Sequence, residues 1–290
     1  MDLELRHLRA LVAVADAGSF TDAAIELGVS QAAVSRTLIA LEDVLGVRLL
    51  HRTSRSVLPT TAGVQVLTRA RHLLADADEL VLEATTGHTR LRIGHAWAAM
   101  GRRTLAFQRQ WAERYPDVEL RLIRTHSATG GLAEGHCDLA VVRTAFDERR
   151  FAGAVVGSER RYCAVSVTDP WASRRSISLD DVLTRTVLVD RRTGTTTVDL
   201  WPRDRRPKIE YSQDVDDWLA AVAGGGHVGI TPESTVAQYR REGVKFVPLR
   251  GAPPIDVRLV WRRHDPHPLT HAAVALLTDL YRKPARPARR

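Results

Sequence analysis

"GVSQAAVSRTLIALEDVLGVRLLHR", residues 28–52, decides how this chain begins. Gly28 is free to take a positive φ, Ser30 is a helix-capping residue, and Val34, Leu38, Leu41 and Leu45 follow at i, i+4, i+7 and i+11. That spacing predicts one helix with a single apolar face. With Val34 turned toward a core, Ala32 and Arg36 lie nearly opposite, at about 160° and 200°, while Gln31 and Ser35 stand to one side at about 60° and 100°. Small side chains there let a helix enter the major groove of DNA, and Gln31, Ser35 and Arg36 carry groups that read base edges. An ordinary surface helix shows the same stripe, so the neighbouring segments must distinguish the two.

Upstream, Leu5, Leu8, Leu11, Val12 and Ala15 form a helical stripe that ends before Gly18. Ala23, Ala24 and Leu27 share one face of a second helix, for which Thr21 is the expected cap. A helix, a tight turn and a capped helix make a helix-turn-helix. Downstream, "VRLLHRTSRSVLPTT" (47–61) is short, basic and punctuated by Pro59, which predicts a two-stranded wing; Arg52 and Arg55 on it would meet phosphates or the minor groove. From Thr61 a longer helix carries Leu67, Ala70, Leu74, Ala77, Val81 and Ala84 at alternating spacings of three and four, flanked by Val66, Leu73 and Leu80. Such a heptad seam predicts pairing with a second helix through Leu67, Leu74 and Val81.

Beyond "TTGHT" (85–89), read as a linker, strands alternate with helices: "LRIGHAW", "VELRLIR" and "CDLAVV" around the helix "RTLAFQRQWAERYP", then "RYCAVSV", "SLDDVLTRTVLVD", "KIEYS", "VDDWLAAVAGG" and "HVGIT". "VRLVWRR" is the last strand and "HPLTHAAVALLTDLYRK" the terminal helix. The βαβ order implies parallel strands with helices on their faces.

Composition narrows the class. At 290 residues the chain has room for two or three domains, and 44% hydrophobic with 26% charged residues is ordinary for a globular protein. No stretch reaches the roughly 18 apolar residues of a membrane span, and "MDLELRHLRALVAVADAGSF" lacks the charge pattern of an export signal. A cytoplasmic protein without membrane contact is expected. The net charge of +8 does not itself argue for nucleic acid: Arg282, Lys283, Arg286, Arg289 and Arg290 carry five of those charges in the tail, and residues 1–60 balance at −1. Cys137 and Cys163 are too few for a disulfide framework and sit among apolar strand residues, where buried thiols are expected.

"FTDAAIELGVSQAAVSRTLIALEDVLGVRLLHRTSRSVLPTTAG" (20–63) closely resembles the N-terminal region of LysR-type transcriptional regulators, reproducing its paired alanines, "AVSR", "LE", "LG", "RLL" and "TTAG". Ala32 stands where that family often has proline or serine, and Leu50-His51 where it often has phenylalanine and an acid. The order of the remaining segments resembles the family along nearly the whole chain. The resemblance implies an α/β fold with an all-α N-terminal part: a winged helix-turn-helix over 1–60, a linker and dimerisation helix over 61–88, and a two-subdomain effector domain over 89–290 like periplasmic solute-binding proteins. Subdomain I would take 89–162 plus 263–290, and subdomain II 163–262. The implied partners are double-stranded DNA, read at an interrupted inverted repeat by a homodimer or homotetramer, and a small-molecule effector.

On this reading Ser30, Gln31, Ala32, Ser35, Arg36, Arg52 and Arg55 form the DNA-binding set. The resemblance places the effector cleft at "GHAWAA", "RTHSAT", Arg143-Thr144, "RRTGTTT" and "HVGITPES", which gives His95, Trp97, Ala98, Thr125, Ser127, Arg143, Arg192, Thr195, Thr196 and Thr231 as candidate contacts. Loops at strand carboxyl ends offer N–H groups to an anion. Trp97 would supply an apolar wall, and Arg143 or Arg192 a partner for a carboxylate, so an anionic effector is included in the expectation.

No cofactor, metal or catalytic residue is expected. "GGGHVG" (224–229) fits G-x-G-x-x-G, but it follows a helix and precedes a strand, the reverse of a phosphate loop. His264, His267 and His271 straddle two prolines without regular ligand spacing. No nucleophile elbow, Walker loop or zincin motif occurs. A solute-binding protein or an enzyme on the same α/β fold would have no use for the first 60 residues.

Overall fold

The computed structural model describes residues 3–52, 57–86, 89–192 and 194–282. It divides into two compact units, Met1–Thr89 with Ala133–His136, and Arg90–Leu132 with Cys137–Arg290.

The first unit opens with α1 (Leu5–Ala17), α2 (Phe20–Leu27) and α3 (Gln31–Leu45). Gly18 ends α1 at φ 69°, which leaves Ser19, not Thr21, at the capping position: its hydroxyl accepts from the Asp22 N–H at 3.0 Å. Thr21 falls inside the first turn of α2 because α1 stops one residue before Ser19. Gly28, at φ 66°, then lets the chain turn through 102° between α2 and α3, and Ser30 caps α3 by accepting from the Ala33 N–H at 3.2 Å. Val34, Leu38 and Leu41 are buried against Leu8, Leu11 and Val14 of α1. Leu45, expected on the same face, is 37% exposed at the end of the helix.

β1 (Leu50–Arg52) and β2 (Val57–Pro59) pair antiparallel, with His51 opposite Leu58. The buried Glu42 side chain fixes this ribbon to α3: one carboxylate oxygen accepts from the Leu49 N–H at 2.8 Å, and the other pairs with Arg48 at 3.1 Å. α4 (Thr61–Thr86) begins where the Thr60 hydroxyl accepts from the Gly63 N–H at 2.9 Å. Gly63 is a contact point: a Cβ there would lie 1.9 Å from the Leu49 carbonyl oxygen.

The heptad seam of α4 is divided. Leu67 and Ala70 are 4% and 1% exposed in the core shared with α1 and α3, and Leu74 packs against it. They are therefore not available to a second helix, whereas Leu73, Leu80 and Val81 are 48%, 67% and 61% exposed. Spacing along a helix reports that a face is apolar, and not which surface it meets.

The second unit runs β3 (Thr89–His95), α5 (Thr104–Arg114), β4 (Val118–Arg124), β5 (Leu139–Val142) and β6 (Phe151–Glu159). It continues through β7 (Arg161–Ser166), β8 (Ile177–Ser178), β9 (Thr186–Asp190), β10 (Lys208–Ser212), α6 (Val215–Ala223), β11 (Val228–Pro232), α7 (Glu233–Gln238) and β12 (Val244–Arg250). β13 (Ile255–Arg262) and α8 (Thr270–Arg282) close it. One sheet has the order β4-β3-β5-β13-β6, the other β10-β9-β11-β7-β12-β8. β3 and β5 are parallel, as are β9 with β10 and β9 with β11, while β13 and β7 are antiparallel to both their neighbours. α5 and α8 cover the first sheet, burying Phe107, Trp111, Leu276 and Leu277 on Leu91, Ile93 and Leu259. α6 buries Trp218 and Leu219 on Ala164 and Leu188 of the second.

The chain passes between the sheets at Arg160 and again between β12 and β13. The second passage corrects the expected division, which kept residues through 262 with the second subdomain. Val260 is paired with Ala140 on one side and Gly153 on the other, so β13 completes the first sheet. Alternating burial identifies a strand but not its sheet, which long-range pairing decides. Among the described residues, no single helix is long and apolar enough to cross a membrane.

Candidate functional site

Two surfaces combine features suited to recognition, one in each unit. On α3, burying Val34, Leu38 and Leu41 turns Gln31, Ala32 and Arg36 outward, all exposed, with Ser35 half-buried beside them. The Ser30 hydroxyl is engaged in the cap. Arg36 makes no ion pair among the described residues, so its guanidinium is presented on a rigid, capped helix. Arg55 and the Arg52 side chain lie outside the described residues.

In the second unit a cavity of about 570 Å³, counted to its mouth, lies between the two sheets. It is lined by the loop after β3, by Val141–Thr144 at the end of β5, by Leu188–Asp190 at the end of β9 and by Ile230–Pro232 of β11. Parallel strands leave a crevice at their carboxyl ends, the place where ligands of such sheets bind. Trp97 forms one wall, its ring meeting Trp218 edge-on at 5.3 Å and 63°. Trp218 is fixed in turn: its Nε1–H donates to the Leu188 carbonyl at 2.8 Å and its ring lies over Gly229, where a Cβ would be 2.0 Å away. Gly225, at φ 84°, makes the turn before β11. The glycines of "GGGHVG" thus serve a turn and an indole seat.

Of the ten expected cleft residues, Trp97, Ala98, Arg143, Thr195, Thr196 and Thr231 line this cavity. His95, Thr125, Ser127 and Arg192 do not. His95 is buried; burial first, then the charges of Arg143 and Arg124, lowers its pKa to about 4 and keeps the ring neutral at neutral pH. The Thr125 N–H donates to the His95 carbonyl at 2.9 Å, Ser127 shares a hydrogen bond with Thr129 at 2.9 Å, and Arg192 is exposed. The Thr196 hydroxyl donates to the Ile230 carbonyl at 2.9 Å.

Arg143 does not wait for a ligand carboxylate. Its Nε and Nη2 donate to the two oxygens of Glu159 at 3.1 and 2.9 Å, while Nη1 and Nη2 donate to the Ala98 and Ala99 carbonyls at 2.9 and 2.7 Å. Glu159 also accepts from the Tyr281 hydroxyl and from the Ser234 hydroxyl, both at 2.7 Å. Burial alone would push the Glu159 carboxyl up; the Arg143 guanidinium and these donors reverse that and hold it below its usual value. The cluster joins the ends of β5 and β6 to the loop after β3, to α7 and to α8. Sequence reasoning missed Glu159 and Tyr281, which lie far apart in the chain without a local motif, and placed Ser234 in a cleft segment without a role of its own. It also missed the lining residues Asp190 and Trp218, while Thr144, which it placed in a cleft segment, lines the cavity. The Thr144 and Thr231 hydroxyls are buried without a hydrogen-bond partner. Burial pushes the Cys137 and Cys163 thiols up to about 12, which leaves them protonated and unreactive.

Comparison with known proteins assigns a family to each unit. The family model described as the LysR substrate binding domain matches residues 84–282, and that of bacterial regulatory helix-turn-helix proteins, lysR family, matches residues 5–64. The chain is 31% identical over 280 residues to the uncharacterized HTH-type transcriptional regulator YnfL of Escherichia coli (strain K12), covering 91% of this chain and 94% of that protein. It is 31% identical over 270 residues to the HTH-type transcriptional regulator TtuA of Agrobacterium vitis, covering 88% of each. The crystal structure of CbnR, a LysR family transcriptional regulator, superposes with a TM-score of 0.70 at 24% identity over 98% of this chain and 100% of that one, a likeness of fold. The chain belongs to the LysR family of bacterial helix-turn-helix transcriptional regulators.

Proposed function

We propose that this regulator reads an interrupted inverted repeat in double-stranded DNA, with Gln31, Ser35 and Arg36 at base edges and the β1–β2 ribbon, bearing Arg52 and Arg55, along the backbone. The outward face of α3 carries this reading: small and polar side chains stand opposite a buried apolar stripe, on a helix capped by Ser30. Two such helices related by a two-fold axis require a dimer, and α4 offers Leu73, Leu80 and Val81 for pairing. A tetramer would pair two dimers on one operator. The protein works where the DNA is, in the cytoplasm.

The cavity in the second unit is the effector site, lined by Trp97, Ala98, Arg143, Thr195, Thr196 and Thr231. A ligand that binds one arrangement of the two sheets better than another shifts the balance between them, and with it the placement of the DNA-reading helices. The anionic effector expected from Arg143 loses that support, since Arg143 is paired with Glu159.

The test is capture of genomic DNA fragments by the purified protein, beside Arg36→Ala at one salt concentration. Sharp peaks sharing an inverted repeat are expected, and the substitution should cost about 1–3 kcal/mol at those sites with little change on random DNA. Equal losses on both would assign Arg36 to phosphate. Uniform binding insensitive to the substitution would remove α3 as the reader.

A further inference from the structure

We infer that the cavity takes an uncharged small molecule with a hydrogen-bonding head and an apolar body, held by the Thr231 and Thr144 hydroxyls against the Trp97–Trp218 wall, and that it rejects carboxylates. The proposal rests on the cavity being the effector site and names the chemistry that site accepts.

Charge is the first consideration. The one cation among the described lining residues, Arg143, has only 7% of its side chain exposed and directs four N–H bonds to Glu159, Ala98 and Ala99. Arg161 lies outside the lining and donates from Nε to the Pro253 carbonyl at 2.9 Å and from Nη1 to the Thr195 carbonyl at 3.0 Å. Asp190, 4% exposed, is part of the wall. Arg143 and Glu159 cancel, and the Asp190 carboxylate is itself engaged. A carboxylate entering the cavity would be stripped of water with no unpaired cation among the described lining residues to meet it. A cation is also poorly served, because Glu159 is saturated by Arg143, Ser234 and Tyr281, and Asp190 accepts from the Arg192 N–H at 3.0 Å.

Hydrogen bonding is the second. Thr231 is 1% exposed, its hydroxyl has no partner, and it lines the cavity together with Thr144, whose hydroxyl is likewise buried and unpartnered. Neutral hydroxyls can each donate and accept, which matches a carbonyl, hydroxyl or carboxamide. Of the other lining hydroxyls, those of Thr196 and Ser234 are already committed, to Ile230 and Glu159. The two indoles supply the apolar surface for the rest of such a molecule.

The experiment uses the full chain and isosteric probe pairs, benzamide with benzoate and cyclohexanecarboxamide with cyclohexanecarboxylate, plus benzylammonium, by calorimetry and by thermal unfolding followed by tryptophan fluorescence. The amide of each pair should bind at least about tenfold more tightly than its carboxylate, and Thr231→Val should weaken the amide about tenfold. Equal or tighter binding of a carboxylate or of the ammonium overturns the charge argument while leaving the effector site in place. Amide binding unchanged in both Thr231→Val and Thr144→Val overturns the role of the hydroxyls. No binding by any probe at millimolar concentration overturns the effector-site reading itself, and this inference with it.

Discussion

Replacing Glu159 with glutamine changes one charge and almost no volume, so what it does to stability isolates the ion pair at the edge of the cavity. Glu159 is 2% exposed and answers Arg143, Ser234 and Tyr281 together. In Glu159→Gln the guanidinium remains buried and uncompensated, and the amide N–H₂ confronts donors where a carboxylate oxygen accepted. Breaking a buried pair from one side costs about 3–5 kcal/mol, most of it the stranded charge. For a unit of this size that is a fall in Tm of about 6–20 °C. All six tryptophans lie beyond residue 90, so fluorescence-detected urea or thermal unfolding of the full chain follows the second unit.

Acid supplies an internal check on the same experiment. Because the folded carboxyl is held below its usual value, the pair contributes fully above the unfolded pKa of about 4.3 and is lost as pH falls from there through the folded value. The difference between wild type and Glu159→Gln should therefore be constant near neutrality and shrink below about pH 4.3. Adding Arg143→Met removes the stranded charge, so the double variant should lose less than the sum of the two single losses. A single-variant loss under about 1 kcal/mol, or a difference that does not shrink in acid, would refute the assignment of Glu159 as the charged partner of Arg143.

Four further substitutions test the first unit. Gly63→Ala places a Cβ 1.9 Å from the Leu49 carbonyl, so α4 must shift; about 1–3 kcal/mol should be lost from the helical transition in circular dichroism, with the tryptophan transition unmoved. Leu80→Asp should lower the mass measured by light scattering without unfolding the chain, whereas Leu67→Asp, buried in the core, should unfold the first unit; an unchanged mass for Leu80→Asp rejects the exposed stripe of α4 as the pairing face. Ser30→Ala removes the acceptor for the Ala33 N–H and should cost about 1 kcal/mol of helix stability, read as the same loss in circular dichroism and as weaker operator binding.

How much of this was legible in the sequence depends on how local the governing physics is. The turn at Gly28, the cap at Ser30 and the stripe Val34, Leu38, Leu41 follow from φ preference, capping and helical period, all settled within a few residues. Even so, the cap of α2 moved from Thr21 to Ser19, because both hydroxyls suit the position and the end of α1 chose between them. Besides the two-residue β8, two strands went unread. β6, "FAGAVVGSE", is rich in small residues, and β12, "VKFVPLR", contains a proline, so neither carries a strong strand signal alone. Both are held by long ladders to β13 and β7. Missing them moved the expected second passage between the sheets from before β13 to after it.

The cavity divides along the same line. The resemblance to the family placed the expected cleft at loops after strands, which brought Trp97, Arg143, Thr195 and Thr231 to the wall of the cavity. Sequence order could not say that Glu159, 16 residues after Arg143, neutralises it, or that Ser234 and Tyr281 complete the cluster. By itself the sequence determined the family, α3 and its capped, outward-facing residues, because each is written in short-range periodicity and in a dense run of motif. Only the tertiary structure decided which apolar face of α4 is spent inside its own unit, which sheet receives β13, and whether Arg143 is free. Those outcomes depend on partners brought together from distant parts of the chain, and a charge or an apolar stripe means different things according to what it touches.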